Sequence, residues 1–419
     1  MRRIKEFLKT ILLLFLIACL LLLTVASLPM ERIRNTPWLA SLLKPVAPLL
    51  GLPQSELTYV KTRLPVQAAA QPVLISVRNS DGRASVQWDF DLLDSNFESL
   101  GSTLGQALDT AGEFLPAALS QVQAALSRPS LYFSYSASLP AHVLAYWLDA
   151  SLPEDAPSAY ACLLSLEDEA VTLYLIGDQY YSASTSMPAS VLLPLLEQFR
   201  PDGSTFAFEA GASAAPLSLI SGSTVSVPSA TLSDPCDSRY VEQLATGFGF
   251  NPYGDTRYTD TAGTIYFTEA NCALQITEDG RLLLTSTAAD RFRASGDSDE
   301  ALIEEARRLV SLASGDAIGD ARLYLTGLTR EGSVTHCTFD YLFSGVPVTL
   351  HSGHAVTVSF QETSVTQMTM TVLKFTAKQS RLYPLPSMQA ISVLPQGAPL
   401  VLQYHAGSSN LTAGWALEP

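Results

Sequence analysis

The chain has 419 residues, of which 25 are basic and 40 acidic, giving a formal net charge of −15. The first 34 residues hold six of the basic and two of the acidic residues, so the remainder carries 19 basic and 38 acidic residues. A chain this acidic is expected to be a poor partner for nucleic acid or for an anionic lipid surface. Its hydrophobic fraction of 47% is enough for packed cores, and its length suggests two or three domains.

An almost unbroken apolar run spans residues 10–28, and four basic residues precede it. A helix of that length rises about 28 Å, which is enough to cross the hydrocarbon core of a bilayer. The basic flank favours a cytoplasmic N-terminus. We therefore predict a single-pass protein of the cell membrane with the bulk of its chain extracytoplasmic. The predicted anchor residues are Ile11, Leu14, Phe15, Leu16, Ile17, Leu20, Leu21, Leu22 and Val25.

Two alternatives to an uncleaved anchor stay open. Val25-Ala26-Ser27 loosely fits the small-residue rule of a signal-peptide cleavage site. Leu16-Ile17-Ala18-Cys19 fits a lipobox, but four leucines follow Cys19, where a mature lipoprotein usually has polar residues. The length of the apolar run favours the uncleaved anchor.

The composition divides the rest of the chain into a stalk, two domains and a tail. After a cytoplasmic tail (1–9) and the anchor, residues 29–70 contain repeated prolines, which prevent a continuous helix and predict a stalk. A stretch rich in Ala, Ser, Gly and Thr precedes Pro235 and favours a boundary there. This gives an N-terminal α+β domain (71–234), a C-terminal α+β domain with two helix-sheet modules (235–395), and a tail (396–419).

The N-terminal domain is predicted to alternate strands and helices. Asn79-Ser-Asp-Gly82 is a hairpin signal between two β-rich runs. Helical patterns and aromatic or aliphatic strands follow. The predicted elements are strands at 73–78 and 83–90, helical stretches within 96–126, a strand at 131–136, a helix at 141–150, strands at 161–166 and 171–175, and a helix at 188–199.

The C-terminal domain shows one order of elements twice, a helix followed by several strands. Apolar residues at helical spacing predict helices at 241–248 and 299–313. A period of two predicts antiparallel strands with one covered face and one wet face. These strands are at 264–268, 272–277, 282–286, 338–343, 354–360 and 367–372. The predicted fold class is α+β, with repeated helix-plus-antiparallel-sheet modules after a single N-terminal transmembrane helix.

Four cysteines lie beyond the anchor, and none has the Cys-x-x-Cys spacing of a zinc or redox site. They are Cys162, Cys236, Cys272 and Cys337. Isolated buried thiols are the favoured interpretation. If a disulfide exists, Cys272 with Cys337 is the pairing to test, because both lie on predicted strands of adjacent modules.

The sequence assembles no nucleophile, base and oxyanion donor, and it has no Gly-x-Ser-x-Gly elbow. His351 and His354 are spaced to hold a metal, but Gly353 between them favours a turn, and two histidines without a carboxylate do not close a site. We therefore assign no catalytic residue, no cofactor and no metal site, and expect a protein that is not an enzyme. A tethered regulatory or binding protein is favoured over a cell-envelope structural module or an unrecognised extracellular enzyme.

Two segments give the chain a resemblance to a known family. One is Leu244-Ala-Thr-Gly-Phe-Gly-Phe-Asn-Pro252, with Tyr258 and Gly263-Thr-Ile-Tyr-Phe267. The other is Phe339-Asp-Tyr-Leu-Phe-Ser-Gly-Val-Pro-Val348. Together with the order of anchor and α+β modules, they resemble the YycH/YycI accessory proteins of low-GC Gram-positive bacteria, over roughly residues 70–395.

The resemblance implies a regulatory role without catalytic residues. Members of this family modulate the membrane-bound sensor histidine kinase of the essential cell-wall two-component system, through a transmembrane and ectodomain complex. The expected partner is therefore a membrane protein, either such a kinase or a homologous accessory protein. Neither a nucleic acid nor a cofactor is expected.

Overall fold

The computed structural model describes residues 69–269, 271–287 and 291–416. The predicted anchor and nearly all of the predicted stalk lie outside these described residues. Within the described ranges, no helix has both the length and the apolar character needed to cross a membrane.

Seven strands before residue 190 form one antiparallel sheet. In chain order the elements are β1 (Leu74–Arg78), β2 (Arg83–Gln87), α1 (Phe90–Asp109), β3 (Leu115–Ala117), α2 (Leu119–Leu126), β4 (Ser130–Pro140), α3 (Ala141–Trp147), β5 (Ser158–Glu167), β6 (Ala170–Ile176), β7 (Tyr180–Pro188) and α4 (Ala189–Leu196). The strand order is β2-β1-β4-β5-β6-β7-β3. The predicted hairpin is confirmed, with Ile75 paired to Val86.

The helical prediction over residues 96–126 is wrong in detail. Helix α1 begins earlier, at Phe90, because the Asp89 carboxylate caps the Leu92 amide. The chain then leaves the helix to form β3, which pairs with β7, before α2 begins. Strand β7 was not predicted, because its serines and threonines lack the apolar alternation of a half-buried strand.

The remaining elements build a second, larger sheet and two separate two-stranded sheets. They are β8 (Thr205–Phe206), α5 (Ala207–Ala210), β9 (Leu219–Ile220), β10 (Val227–Ser233), α6 (Ser238–Gly247), β11 (Arg257–Thr259), β12 (Ile265–Glu269), β13 (Cys272–Ile276), β14 (Arg281–Ser286), α7 (Asp299–Ser314), β15 (Ala321–Glu331), β16 (Val334–Phe343), β17 (Val346–Thr349), β18 (Val356–Gln361), β19 (Ser364–Thr371), β20 (Lys374–Leu382), α8 (Ser387–Val393), β21 (Val401–Ala406) and β22 (Leu411–Ala416). The two-stranded sheets are β8-β9 and β10-β20. The larger sheet has eleven strands in the order β11-β12-β13-β14-β19-β18-β16-β17-β21-β22, with β15 also paired to β16.

The strands of the two predicted C-terminal helix-sheet modules belong to this one sheet. Strand β14 of the first module pairs with β19 of the second, with Leu284 opposite Met368. Within the segment named the tail, β21 and β22 form a hairpin that joins the sheet through β17. The fold is therefore mixed α/β with two large sheets that are antiparallel apart from the parallel β17–β21 pair.

All four cysteines beyond the anchor are free thiols, so the Cys272–Cys337 pairing is not present. The Cys272 sulfur lies 3.2 Å from the Ser286 hydroxyl instead. Burial raises the pKa of Cys162 and of Cys337 to about 12, which keeps both thiols protonated and unreactive near neutral pH.

Polar and aromatic contacts join the two sheets across the predicted boundary at residue 235. Arg322 of β15 forms an ion pair with Asp94 of α1, at 2.8 Å, and its guanidinium lies over the Phe90 ring. The Trp147 indole of α3 donates to Glu304 of α7, also at 2.8 Å. One buried apolar cluster contains residues of both halves, and the described residues from 69 onward form one compact unit.

Candidate interaction surface

The Gly-Val-Pro-Val segment of the family resemblance serves packing. Ser344 and Gly345 form the two-residue turn between β16 and β17, and both have a positive φ, of 52° and 78°. The Ser344 hydroxyl donates to the Trp88 carbonyl at 2.9 Å. A Cβ on Gly345 would lie 3.1 Å from a Leu93 methyl carbon. The motif therefore seats the C-terminal sheet against the N-terminal half.

The segment of the resemblance that runs from Leu244 to Pro252 also has a structural role. Phe248 and Phe250 follow α6 and are buried. Arg291 donates to the carbonyls of Phe248 and Gly249, at 3.0 and 2.8 Å, and its guanidinium lies 4.4 Å from the centre of the Phe250 ring. These contacts fix the end of the helix and place no reactive group in a cleft.

The histidines singled out for metal binding lie in and beside a turn. His351 is exposed within the turn after β17, and His354 follows it. The His354 Nδ1 lies 2.7 Å from an Asp340 carboxylate oxygen, a partner that sequence spacing did not reveal. The described residues contain no group of three potential metal-ligating side chains with suitable geometry.

A polar cleft that the sequence did not predict lies at the start of α7. His142 of α3 is 6% exposed, and its Nε2 lies 3.4 Å from Asp299 and 3.6 Å from Glu300. Glu154 and Arg330 also line this cavity, which has a volume of about 210 Å³. The cleft joins α3 to α7, and its polar walls suit water.

The region from Tyr383 to Val393 exposes an unusual amount of apolar surface. Tyr383 is 71% exposed, Leu385 50%, Met388 56% and Val393 70%. Helix α8 buries only its small face, made by Ser387, Ala390 and Ile391, so its other side chains face outward. Clustered exposed apolar residues mark an interaction site more often than scattered ones do.

Basic residues adjoin this apolar surface. Lys374, Lys378 and Arg381 are exposed on β20, and the two lysines are the only ones after Lys61. Lys378 donates to the Asn410 side chain at 2.8 Å, and Arg381 to the Ser226 carbonyl at 2.6 Å. None of the three has an ion pair among the described residues, and no acidic residue occurs between positions 363 and 416.

We define the β20–α8 surface as the exposed basic side chains of β20 together with the apolar residues that follow. Trp415 of β22 borders it, because its indole donates to the Leu385 carbonyl at 2.7 Å. The sequence signal that would have found it is the absence of acidic residues over 54 positions of a strongly acidic chain. The surface residues are Lys374, Lys378, Arg381, Tyr383, Leu385, Met388 and Val393.

No protein-family model and no curated protein matches the sequence. Among solved structures, the chain is similar to one described as the crystal structure of YycH from Bacillus subtilis. The TM-score is 0.55 and the sequence identity 8%, and the match covers 85% of this chain and 95% of that chain.

The class defined by these findings is a mixed α/β protein with extended antiparallel sheets. Within that class, the chain has a YycH-like fold. At 8% identity the likeness shows the fold alone.

Proposed function

We propose that this chain is a membrane-anchored extracytoplasmic regulatory protein that modulates a sensor histidine kinase of a two-component system through protein–protein contacts. The observation that carries the proposal is the YycH-like fold, which extends over 85% of the chain. The sequence segments that resemble the YycH/YycI family agree with it. Their structural roles are compatible with a binding protein, and we propose that the chain is not an enzyme.

Regulation of this kind needs no chemistry in the regulator. A bound protein shifts a kinase between two states whenever its affinity for the two states differs. A rigid ectodomain can transmit a difference in affinity to the kinase. In this ectodomain, the Arg322–Asp94 ion pair and the Trp147–Glu304 hydrogen bond hold the two sheets together.

The proposed place of action is the cell membrane, with residues 10–28 as a single anchor and the N-terminus in the cytoplasm. The run of apolar side chains supports this part of the proposal. A single helix can also pack laterally against the helices of a kinase, so the anchor is proposed to be part of the complex.

The test is crosslinking with mass spectrometry in the native host membrane. Tagged full-length protein is compared with a variant in which residues 10–28 are replaced by an unrelated membrane helix. We expect a sensor histidine kinase to be captured by the first protein and captured less by the second. Capture of wall-building or secreted proteins without a kinase would overturn the proposal. Equal capture by both proteins would restrict the complex to the ectodomain.

A further inference from the structure

We propose that the β20–α8 surface contacts the headgroup layer of an anionic phospholipid bilayer. This inference goes beyond the regulation of a kinase, and it assigns a ligand class to a surface whose partner is otherwise unassigned. It rests on the predicted anchor in one respect, because the anchor keeps the domain beside the membrane.

The local charge supports the inference although the whole chain is acidic. Interactions between exposed charges are screened beyond about 8–10 Å at physiological ionic strength. The charges nearest to the bilayer therefore determine whether the surface is attracted to it. Residues 363–416 carry three basic residues and no acidic one. Acidic neighbours lie along the first half of β20, where Asp320 accepts the Ala377 amide beside Lys378 and Asp234 follows Ser233, which is opposite Lys374.

The other end of β20 has a different surrounding. Arg381 pairs across the strands with Pro228 and donates to Ser226, both of which are uncharged. The positive charge is therefore least compensated next to Tyr383, where the apolar residues begin. Basic residues beside exposed aromatic and aliphatic side chains are the arrangement by which peripheral segments bind anionic interfaces.

The exposed apolar side chains supply the second attraction. Met388 and Val393 lie on the outer side of α8, and Tyr383 and Leu385 precede the helix. Interfacial segments bury such side chains about 5–10 Å into the boundary between headgroups and acyl chains. Tyrosine suits this depth because it has an apolar ring and a polar hydroxyl.

Because the anchor holds the domain at the bilayer, a low intrinsic affinity of the β20–α8 surface for lipid is enough for contact. Three basic residues and four apolar side chains would give a free domain only modest affinity, since each basic residue raises occupancy roughly fivefold near an anionic surface. Attachment to the same bilayer makes the contact intramolecular and raises its effective concentration. The anionic lipid repels the rest of the domain surface, which is acidic. This repulsion orients the domain with the β20–α8 surface toward the membrane.

The test uses the full chain in phosphatidylcholine liposomes that contain phosphatidylglycerol carrying a photoreactive diazirine on its acyl chain. Adducts are mapped by mass spectrometry after flotation. We expect adducts within residues 10–28, which report insertion, and a second set within residues 383–393. Excess unlabelled phosphatidylglycerol should compete with the second set, whereas phosphatidylcholine should not.

Matched variants separate local charge from net charge. The combined change Lys374→Gln, Lys378→Gln and Arg381→Gln should lower the yield of adducts within residues 383–393 at least fivefold. The control combines Arg128→Gln, Arg281→Gln and Arg308→Gln, three exposed arginines elsewhere, and removes the same charge with no expected effect. Met388→Ser should lower the adducts, whereas Leu115→Ser, at a residue of nearly equal exposure (55%), should not.

Three results would overturn the inference while leaving the proposed function intact. The first is the expected adducts within residues 10–28 with none within residues 383–393. The second is an equal yield of adducts within residues 383–393 in the two charge variants. The third is a β20–α8 surface that forms no lipid adducts but crosslinks to a protein in host membranes. Protein that neither floats nor takes anchor adducts would overturn both the anchor and this inference.

Discussion

Arg83 is the clearest case of a single residue that organises its surroundings. It begins strand β2, and its guanidinium is almost fully buried and lies 4.4 Å from the centre of the Phe206 ring. It donates to the Leu126 carbonyl at 2.7 Å and to the Glu209 carboxylate at 3.0 Å. A buried charge is tolerated where it is paired and hydrogen-bonded, and these contacts supply partners to the terminal nitrogens of Arg83, whereas its Nε has no hydrogen-bond partner among the described residues.

Arg83→Met should therefore lower the free energy of unfolding by about 3 kcal/mol, because it leaves buried acceptors without their donor. Guanidinium denaturation of the full chain measures the loss. Arg281→Met is the control, since its ion pair with Asp279 is exposed and should contribute less than about 1 kcal/mol. A loss below that value for Arg83 would show that its contacts are not needed.

Glu209 gives the same cluster a dependence on pH. Burial raises the pKa of Glu209, but hydrogen bonds from Arg83 and from the Phe206 amide outweigh it and hold the pKa below its ordinary value. A carboxyl with a lower pKa in the folded state stabilises the fold above its unfolded pKa of about 4.3. That stabilisation is lost as the pH falls through the folded pKa.

Glu209→Gln should therefore reduce the decrease in the free energy of unfolding that accompanies a fall in pH. Urea unfolding between about pH 6 and pH 3 measures the slope, which follows the difference in bound protons between the two states. Glu98→Gln, at an exposed residue of α1, gives the baseline for removing one carboxylate. An unchanged slope in Glu209→Gln would assign the acid sensitivity to other groups.

Helix α7 shows how an element gains stability from one face. Leu309 is fully buried, whereas Arg308 beside it is exposed and pairs with Glu305. Leu309→Asp should lower the free energy of unfolding by about 3 kcal/mol or more, because the carboxylate is buried without a partner. Arg308→Ala should cost about 0.5 kcal/mol. A Leu309→Asp variant that melts like the wild type would place this face outside the core.

The β16–β17 turn makes a second prediction at the scale of an element. Gly345→Val combines the strain of a β-branched residue at positive φ with a contact against Leu93 and Trp88. Gly332→Val is matched to it, because Gly332 also lies in a two-residue turn at positive φ but has nothing within 4 Å of its Cβ position. We expect Gly345→Val to destabilise by at least about 1 kcal/mol more. Equal losses would mean that only backbone strain matters.

At the scale of the whole molecule, the shared core predicts cooperative unfolding. The buried cluster contains Trp147 of the first half and the central strands of the second. Tryptophan fluorescence and far-ultraviolet circular dichroism of the full chain should therefore report coincident denaturation transitions. Two separated transitions would instead support independent domains on either side of residue 235.

Local patterns predicted the elements whose signal is local. The stripe of α7 and the alternation of β13, β14 and β18 appear in the sequence because each element buries one face. Strand β20 was not predicted, because most of its residues are exposed on both faces and show no alternation. The β20–α8 surface was missed as a consequence, although its charge bias was present in the sequence.

The sequence by itself determined the apolar run at residues 10–28, the acidic balance, the combination of helices with antiparallel strands and the resemblance to the YycH/YycI family. These follow from composition and short periodicity, which depend on neighbours along the chain. Only the tertiary structure decided that two predicted modules share one sheet, that Arg322 meets Asp94, and that Asp340 faces His354. Such pairings join residues far apart in the chain, and their energies depend on burial that no local pattern records.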